Sequence, residues 1–174
     1  TAGYLAGKGV EEPRLIAEHL LARLLNCKRL ELSLKAGQIL SEKQLEAMRR
    51  GMKRVAVGEP AQYVLGQWDF MGHTFKTDRR ALIPRPETEM LVEAVLKCEQ
   101  LWNGGKPAIV DVGTGSGCIV ISLALAKPEA NYIALDPSED AIRLARENAA
   151  AFGLQDKIAF STMEICDVVD DGGT

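Results

Sequence analysis

"VDVGTGSGCIVISLALA", residues 110–126, decides the fold: a β-rich apolar run reaches Asp111, turns through Gly113, Gly115 and Gly117, and resumes as an apolar helical pattern. A strand that leaves a glycine turn as a helix is the opening unit of a parallel α/β sheet. Without a Cβ, glycine lets the backbone bend sharply and approach a ligand closely. In open α/β sheets, ligands sit at the carboxyl ends of the strands, which is where this turn falls.

Downstream, "NYIALD" (131–136) and "KIAFST" (157–162) are short β-rich runs, and "EDAIRLARENAAAF" (139–152) is helical. The alternation predicts a parallel sheet with helices on its faces. Upstream, "LIPRPETEMLVEAVLKCEQLW" (82–102) has an extended entry fixed by Pro84 and Pro86, then a helix with Leu91, Val92, Val95 and Leu96 as its apolar face. In "GEPAQYVLGQWDFMGHTFKTD" (58–78), aromatics cluster among glycines, and Met71, Gly72 and His73 offer a hairpin turn with an exposed polar His73 at its tip.

From 11 to 55 the apolar spacing is helical. Pro13 suits a first turn, and Leu15, Ile16, His19, Leu20, Leu24 and Leu25 form one stripe. Ser41 and Gln44 have capping-box spacing ahead of a buried row of Leu45, Met48, Met52 and Val55. The expected organisation is a small helical domain over 1–58, a β-hairpin linker over 59–80, and an α/β domain over 81–174.

With 47% apolar residues, the 174-residue chain can bury a real core. Lys plus Arg number 21 against 24 Asp plus Glu, giving a net charge of -3, so no direct nucleic-acid binding is expected. "RRGMKR" (49–54) reads as the solvated face of a helix. Cys27, Cys98, Cys118 and Cys166 form no C-x-x-C pair, so neither zinc nor a disulfide framework is expected. The first three read as small buried hydrophobes in a reducing compartment. No 18-residue apolar segment or leader pattern occurs, so the expectation is a soluble, cytoplasmic protein without a membrane partner, acting as a monomer.

Spacing separates the ligand candidates. A dinucleotide G-x-G-x-x-G beginning at Gly113 needs glycine or alanine at 118, where Cys118 stands; beginning at Gly115 it meets Val120. Asp136, at the end of the second strand, can take both hydroxyls of a ribose. Asp111, beside the turn, would repel a pyrophosphate and attract a cation. Together these favour S-adenosylmethionine, a nucleoside with a sulfonium and no phosphate. The alternative is a tight strand-to-helix turn capped by an aspartate.

These residues, with "GEPAQYVLGQWDFMG", "LIPRPETEMLVEAV" and "ALDPSEDAIRLARENA", make the chain resemble the release factor glutamine methyltransferases from about residue 10 to 168. The resemblance implies a helical domain ahead of a Rossmann-like class I methyltransferase domain with a doubly wound sheet, of which only the first strands are present. It implies methyl transfer from S-adenosyl-L-methionine, leaving S-adenosyl-L-homocysteine, to the glutamine side-chain nitrogen of the Gly-Gly-Gln loop of peptide chain release factors. A methyltransferase acting on an NH2 group of nucleic acid or of a small molecule stays open, as does a cofactor- or release-factor-binding module without chemistry. By position, Gly113, Thr114, Gly115, Ser116 and Gly117 would hold the methionine part, beside Asp111, and Asp136 the ribose. Glu164, following Met163, would accept from the adenine amino group, with Asp167 the alternative. Leu82, Pro84 and Arg85 would lie on the substrate side, although core packing also accounts for Leu82, and helix entry for Arg85 and Glu87. The helical domain and hairpin would hold the release factor. The family's catalytic Asn-Pro-Pro-Tyr does not occur in these residues. The expectation is that it lies beyond Thr174 and that the chain alone does not turn over.

Overall fold

The computed structural model describes residues 1–163 and resolves into two compact units, Thr1–Gly66 and a second beginning at Gln67. The first is helical: α1 (Ala2–Ala6), α2 (Pro13–Leu24), a 3₁₀ segment (Arg29–Lys35), α3 (Glu42–Ala56) and α4 (Ala61–Leu65). Ser41 caps α3 reciprocally with Gln44: the Ser41 hydroxyl accepts from the Gln44 N–H at 3.3 Å and the Gln44 carbonyl oxygen accepts from the Ser41 N–H at 2.9 Å. Leu5, Ala17 and Val55 centre the core, with Ile16, Met52 and Val64 packed around them. A Cβ at Gly51 would lie 3.2 Å from Leu20 Cδ2, so the missing side chain lets α3 close on α2. Pro60 opens one more helical turn, α4, which Gly66 ends at φ 71°. The helical unit thus runs to residue 66.

The second unit begins with the hairpin β1 (Gln67–Phe70) and β2 (His73–Lys76), paired antiparallel. Met71 (φ 50°) and Gly72 (φ 75°) both take left-handed conformations, as a tight two-residue turn requires. Phe70 and Phe75 are buried and meet edge-on, centroids 6.1 Å apart. His73 is not simply exposed: it is half-buried, its ring edge-on to Phe152 at 5.6 Å. In α5 (Pro86–Lys97), Val92 is buried and Val95 and Leu96 pack beside it, while Leu91 is 53% exposed. Positions 92, 95 and 96 share the inner face, and position 91 is turned about 100° away.

After the short α6 (Glu99–Trp102) come β3 (Ala108–Val112), α7 (Cys118–Ala126), β4 (Asn131–Leu135), α8 (Glu139–Ala151) and β5 (Ile158–Ser161). The strands are parallel in the order β3-β4-β5, with Val110 opposite Ile133 and Ile133 opposite Ala159. This is a Rossmann-like βαβαβ half-sheet. Tyr132, Ala134 and Ile158 lie in one core with Val120, Ile121, Leu123 and Ala149 of α7 and α8. Those helices cover one face. On the other, Val110 (48%), Val112 (46%) and Ile133 (37%) are exposed, so among the described residues the expected helical cover is present on one side only. Of the cysteines, Cys118 is buried, with burial pushing its thiol up to about 11, whereas Cys27 and Cys98 are only partly covered, contrary to expectation. Among the described residues no helix is long and apolar enough to cross a membrane.

Candidate functional site

The glycine turn joins β3 to α7 at the carboxyl end of the sheet. The Gly113 and Thr114 N–H groups both donate to the Leu135 carbonyl, at 2.8 and 2.9 Å, which straps the turn to the end of β4. All three glycines have positive φ: 75°, 55° and 78° at Gly113, Gly115 and Gly117. Their surroundings differ. A Cβ at Gly117 would stand 2.9 Å from Ile121 Cδ1 and 3.1 Å from Ala145 Cβ, so this glycine serves close packing against α8. At Gly115 it would meet Ala81 Cβ at 3.7 Å, and at Gly113 nothing within 4 Å. The turn is therefore packed behind Gly117 and open in front of Gly113.

Two carboxylates border it. Asp111 accepts from the Thr114 hydroxyl at 2.8 Å. Burial holds its carboxyl above the ordinary carboxylate range; the Thr114 hydroxyl and the Val120 N–H act the other way, and the negative charge of Asp136 raises it further. Asp136 Oδ2 accepts from the Gly115 N–H and Oδ1 from the Ser138 N–H, both at 2.9 Å. One side chain thereby ties the turn to the start of α8, where the Ser138 hydroxyl caps the helix by accepting from the Ala141 N–H at 3.3 Å. Each carboxylate oxygen of Asp136 still has acceptor capacity for a hydroxyl. Both aspartates are 9% exposed.

The structure also brings in a residue that the sequence reading missed. Asn148 of α8, 2% exposed, accepts from the Lys76 N–H at 2.8 Å and donates through Nδ2 to the Lys76 carbonyl at 3.2 Å and to the Ser116 carbonyl at 2.9 Å. The signal was its position, on the same helix face as the buried Ala141, Leu144 and Ala145, where a polar side chain needs partners. Beside it, Glu147 accepts from Arg80 at 2.8 Å and from Lys76 at 2.6 Å; these cations hold its carboxyl down at about 2. Asp78 also accepts from Arg80, at 2.9 and 2.8 Å. The strip from Lys76 to Arg80 is thus fastened to α8, and Ala81 follows it past Gly115.

Beyond Ala81, Leu82 is 72% exposed, which removes the core-packing reading of it, while Ile83 and Pro84 are buried. Arg85 is exposed at the N-terminus of α5. Glu87 lies in the first turn of that helix, where the macrodipole favours an acid. Glu89, in the same helix, accepts from the Met71 N–H at 2.6 Å and ties α5 to the hairpin. Met163 is the last described residue; Glu164 and Asp167, the two adenine candidates, lie outside the described residues.

The donor set suits a cationic nucleoside. The open side of Gly113 admits a ligand to the backbone, a paired buried carboxylate offers two acceptor oxygens, and the charge acting on Asp111 is a second anion, a poor setting for pyrophosphate.

Residues 1–66 match the family described as the PrmC N-terminal domain, ending where the helical unit ends, and residues 105–171 match a Methyltransferase domain family. The chain is 44% identical over 163 residues to the release factor glutamine methyltransferase of Chlorobaculum tepidum, covering 92% of this chain and 55% of that protein. It is 38% identical over 164 residues to the human MTRF1L release factor glutamine methyltransferase, covering 90% of this chain and 48% of that one. The chain therefore spans about half the length of the curated relatives it matches. Among solved structures it is similar to the N-terminal domain of human METTL16 in complex with SAH, with a TM-score of 0.42 and 17% identity over 57% of this chain and 42% of that one.

Proposed function

Because the chain belongs to the release factor glutamine methyltransferase family, we propose that it is the donor-binding part of an enzyme that methylates the glutamine amide nitrogen in the Gly-Gly-Gln loop of release factors. The observation that carries the cofactor half of this reading is the glycine turn held between Asp111 and Asp136, with space in front of Gly113. S-adenosylmethionine supplies a methyl group activated by a positively charged sulfur. Backbone from Gly113 to Gly117 holds the methionine part, Asp111 attracts its cationic end, and Asp136 takes the ribose hydroxyls on its remaining lone pairs. Thr114 and Ser116 are buried, with the Thr114 hydroxyl and the Ser116 carbonyl already engaged within the protein, so these two residues act through the turn's conformation.

Leu82 supplies an apolar wall on the acceptor side, anchored by the buried Ile83 and Pro84, and Arg85 stands exposed beyond it. An amide nitrogen is a weak nucleophile, so the acceptor must be aimed at the methyl group. The family resemblance assigns that task to Asn-Pro-Pro-Tyr, which these 174 residues do not contain. The chain by itself is accordingly expected to bind donor without turnover.

Calorimetry on the chain with S-adenosylmethionine, S-adenosylhomocysteine and NADH tests the cofactor: binding of the first two without NADH supports the reading, and NADH alone reverses it. Labelled donor offered to the full-length gene product with release factor and DNA together tests the acceptor. Label confined to DNA would move the substrate to nucleic acid.

A further inference from the structure

We propose that Asn148 is a positioning residue that locks the donor-binding glycine turn to the strip leading to the acceptor side, so that the two order together. The donor part of this inference rests on the cofactor reading above; the lock itself does not. The amide pairs with Lys76 as a neighbouring strand would, accepting from its N–H at 2.8 Å and donating to its carbonyl at 3.2 Å. The same Nδ2 donates at 2.9 Å to the Ser116 carbonyl, in the middle of the turn. An Asn amide has one acceptor and two donor hydrogens, and all three are used here.

No other residue type offers this set at this size. Aspartate keeps the acceptor but has no donor when ionised, and it would set a negative charge against two carbonyl oxygens; leucine would strand all three backbone groups. The geometry also joins the two ends of the site. The Lys76 N–H and carbonyl lie at the end of β2, where the strip to Leu82 begins, and Ala81 Cβ of that strip would lie 3.7 Å from a Cβ placed on Gly115. Ordering of the turn by donor therefore has a direct route to the strip through this amide. Glu147 grips the same strip from outside, through the Lys76 and Arg80 side chains, and these bonds do not reach the turn. It holds the strip without coupling it.

The test is hydrogen exchange on the chain, comparing Asn148→Ala, Asn148→Asp and Glu147→Gln with the parent and using peptides from β4 and the middle of α7 as controls. Loss of a buried hydrogen-bond set should accelerate exchange roughly tenfold or more. In both Asn148 variants this should appear in residues 73–81 and in 113–118 together, with the controls unchanged; Glu147→Gln, which loses only exposed pairs, should give a smaller acceleration and in 73–81 alone. Asn148→Asp should regain protection in both segments as the pH falls, because the protonated acid again has one O–H to donate, whereas Asn148→Ala should not. Acceleration in only one segment of the Asn148 variants, or in neither, overturns the lock. General acceleration including the controls in both Asn148 variants, with no recovery of Asn148→Asp at low pH, overturns it in favour of a bulk stability role. Added S-adenosylmethionine should protect both segments in the parent and only 113–118 in Asn148→Ala. A parent that ignores the donor counts against the cofactor reading, while the ligand-free comparison still decides the lock.

Discussion

Replacing Gly117 by alanine places a methyl group where the structure has no room. The added Cβ would lie 2.9 Å from Ile121 Cδ1 and 3.1 Å from Ala145 Cβ, and the residue would have to hold φ 78°. A left-handed conformation costs a non-glycine residue about 1–2 kcal/mol. Overpacking of an interior contact costs about 1–3 kcal/mol more, because α7 and α8 must move apart or Ile121 must leave its rotamer. Gly113→Ala incurs only the conformational cost, since nothing lies within 4 Å of its Cβ. The two substitutions should separate by about 1–3 kcal/mol in the second unit, with Gly117→Ala lowering its melting temperature on the order of 10 °C. Both tryptophans, Trp68 and Trp102, belong to that unit, so urea or thermal unfolding followed by their fluorescence reports it selectively. Donor affinity should respond in the opposite order, Gly113→Ala obstructing the open side while leaving the fold nearly intact. Equal unfolding midpoints for Gly117→Ala and the parent would refute the assignment of Gly117 to helix packing.

Asp136→Ala should weaken S-adenosylmethionine by about 1.5–3 kcal/mol, through loss of hydrogen bonds to a charged acceptor, and calorimetry on the chain reads this directly; unchanged affinity would remove Asp136 from the site. Burial raises Asp111 above its unfolded value, so the folded chain retains that proton to higher pH, and ionisation there opposes folding once the pH exceeds the ordinary value. A cationic donor favours the ionised form, so affinity should fall as the pH drops through the raised value and binding should release protons, seen as a dependence of the calorimetric heat on buffer. The Glu147 carboxyl is depressed from 4.5 to about 2, so its contribution to stability is fully present above pH 4.5 and is lost between 4.5 and 2. Its side chain is 43% exposed, which screens the interaction to roughly 1 kcal/mol. Glu147→Gln should cost that amount near neutral pH, with the difference disappearing in urea titrations at pH 2.

The order of the longer elements was legible because they carry local signatures: the alternation around the glycine turn, the Ser41–Gln44 box, and the Met71-Gly72-His73 turn of the hairpin; the short α1, α4 and α6 and the 3₁₀ segment were not read. Glycine spacing and the two aspartates located the turn that the structure builds, because ends of neighbouring parallel strands must come together. Long-range partners were not legible. Nothing local tells that Asn148 meets Lys76 and Ser116, 72 and 32 residues away, or that Met71 donates to Glu89. Side-chain exposure failed where a helix face or loop was read too broadly. Leu91 lies one step outside its apolar face, and Leu82 projects from a strip whose neighbours Ile83 and Pro84 are buried. The helical region outran its expected end because Pro60 starts a turn as readily as it breaks one.

Glu147 and Asn148 are consecutive, yet one reaches water and the other the dry interior. Ions therefore act on them differently. At 1 M salt the screening length shrinks to about 3 Å, which weakens the exposed cluster of Lys76, Arg80 and Glu147, whereas an uncharged amide sealed among backbone groups is indifferent to ionic strength. The hairpin can thus loosen at its rim in brine while the seam beneath it stays closed.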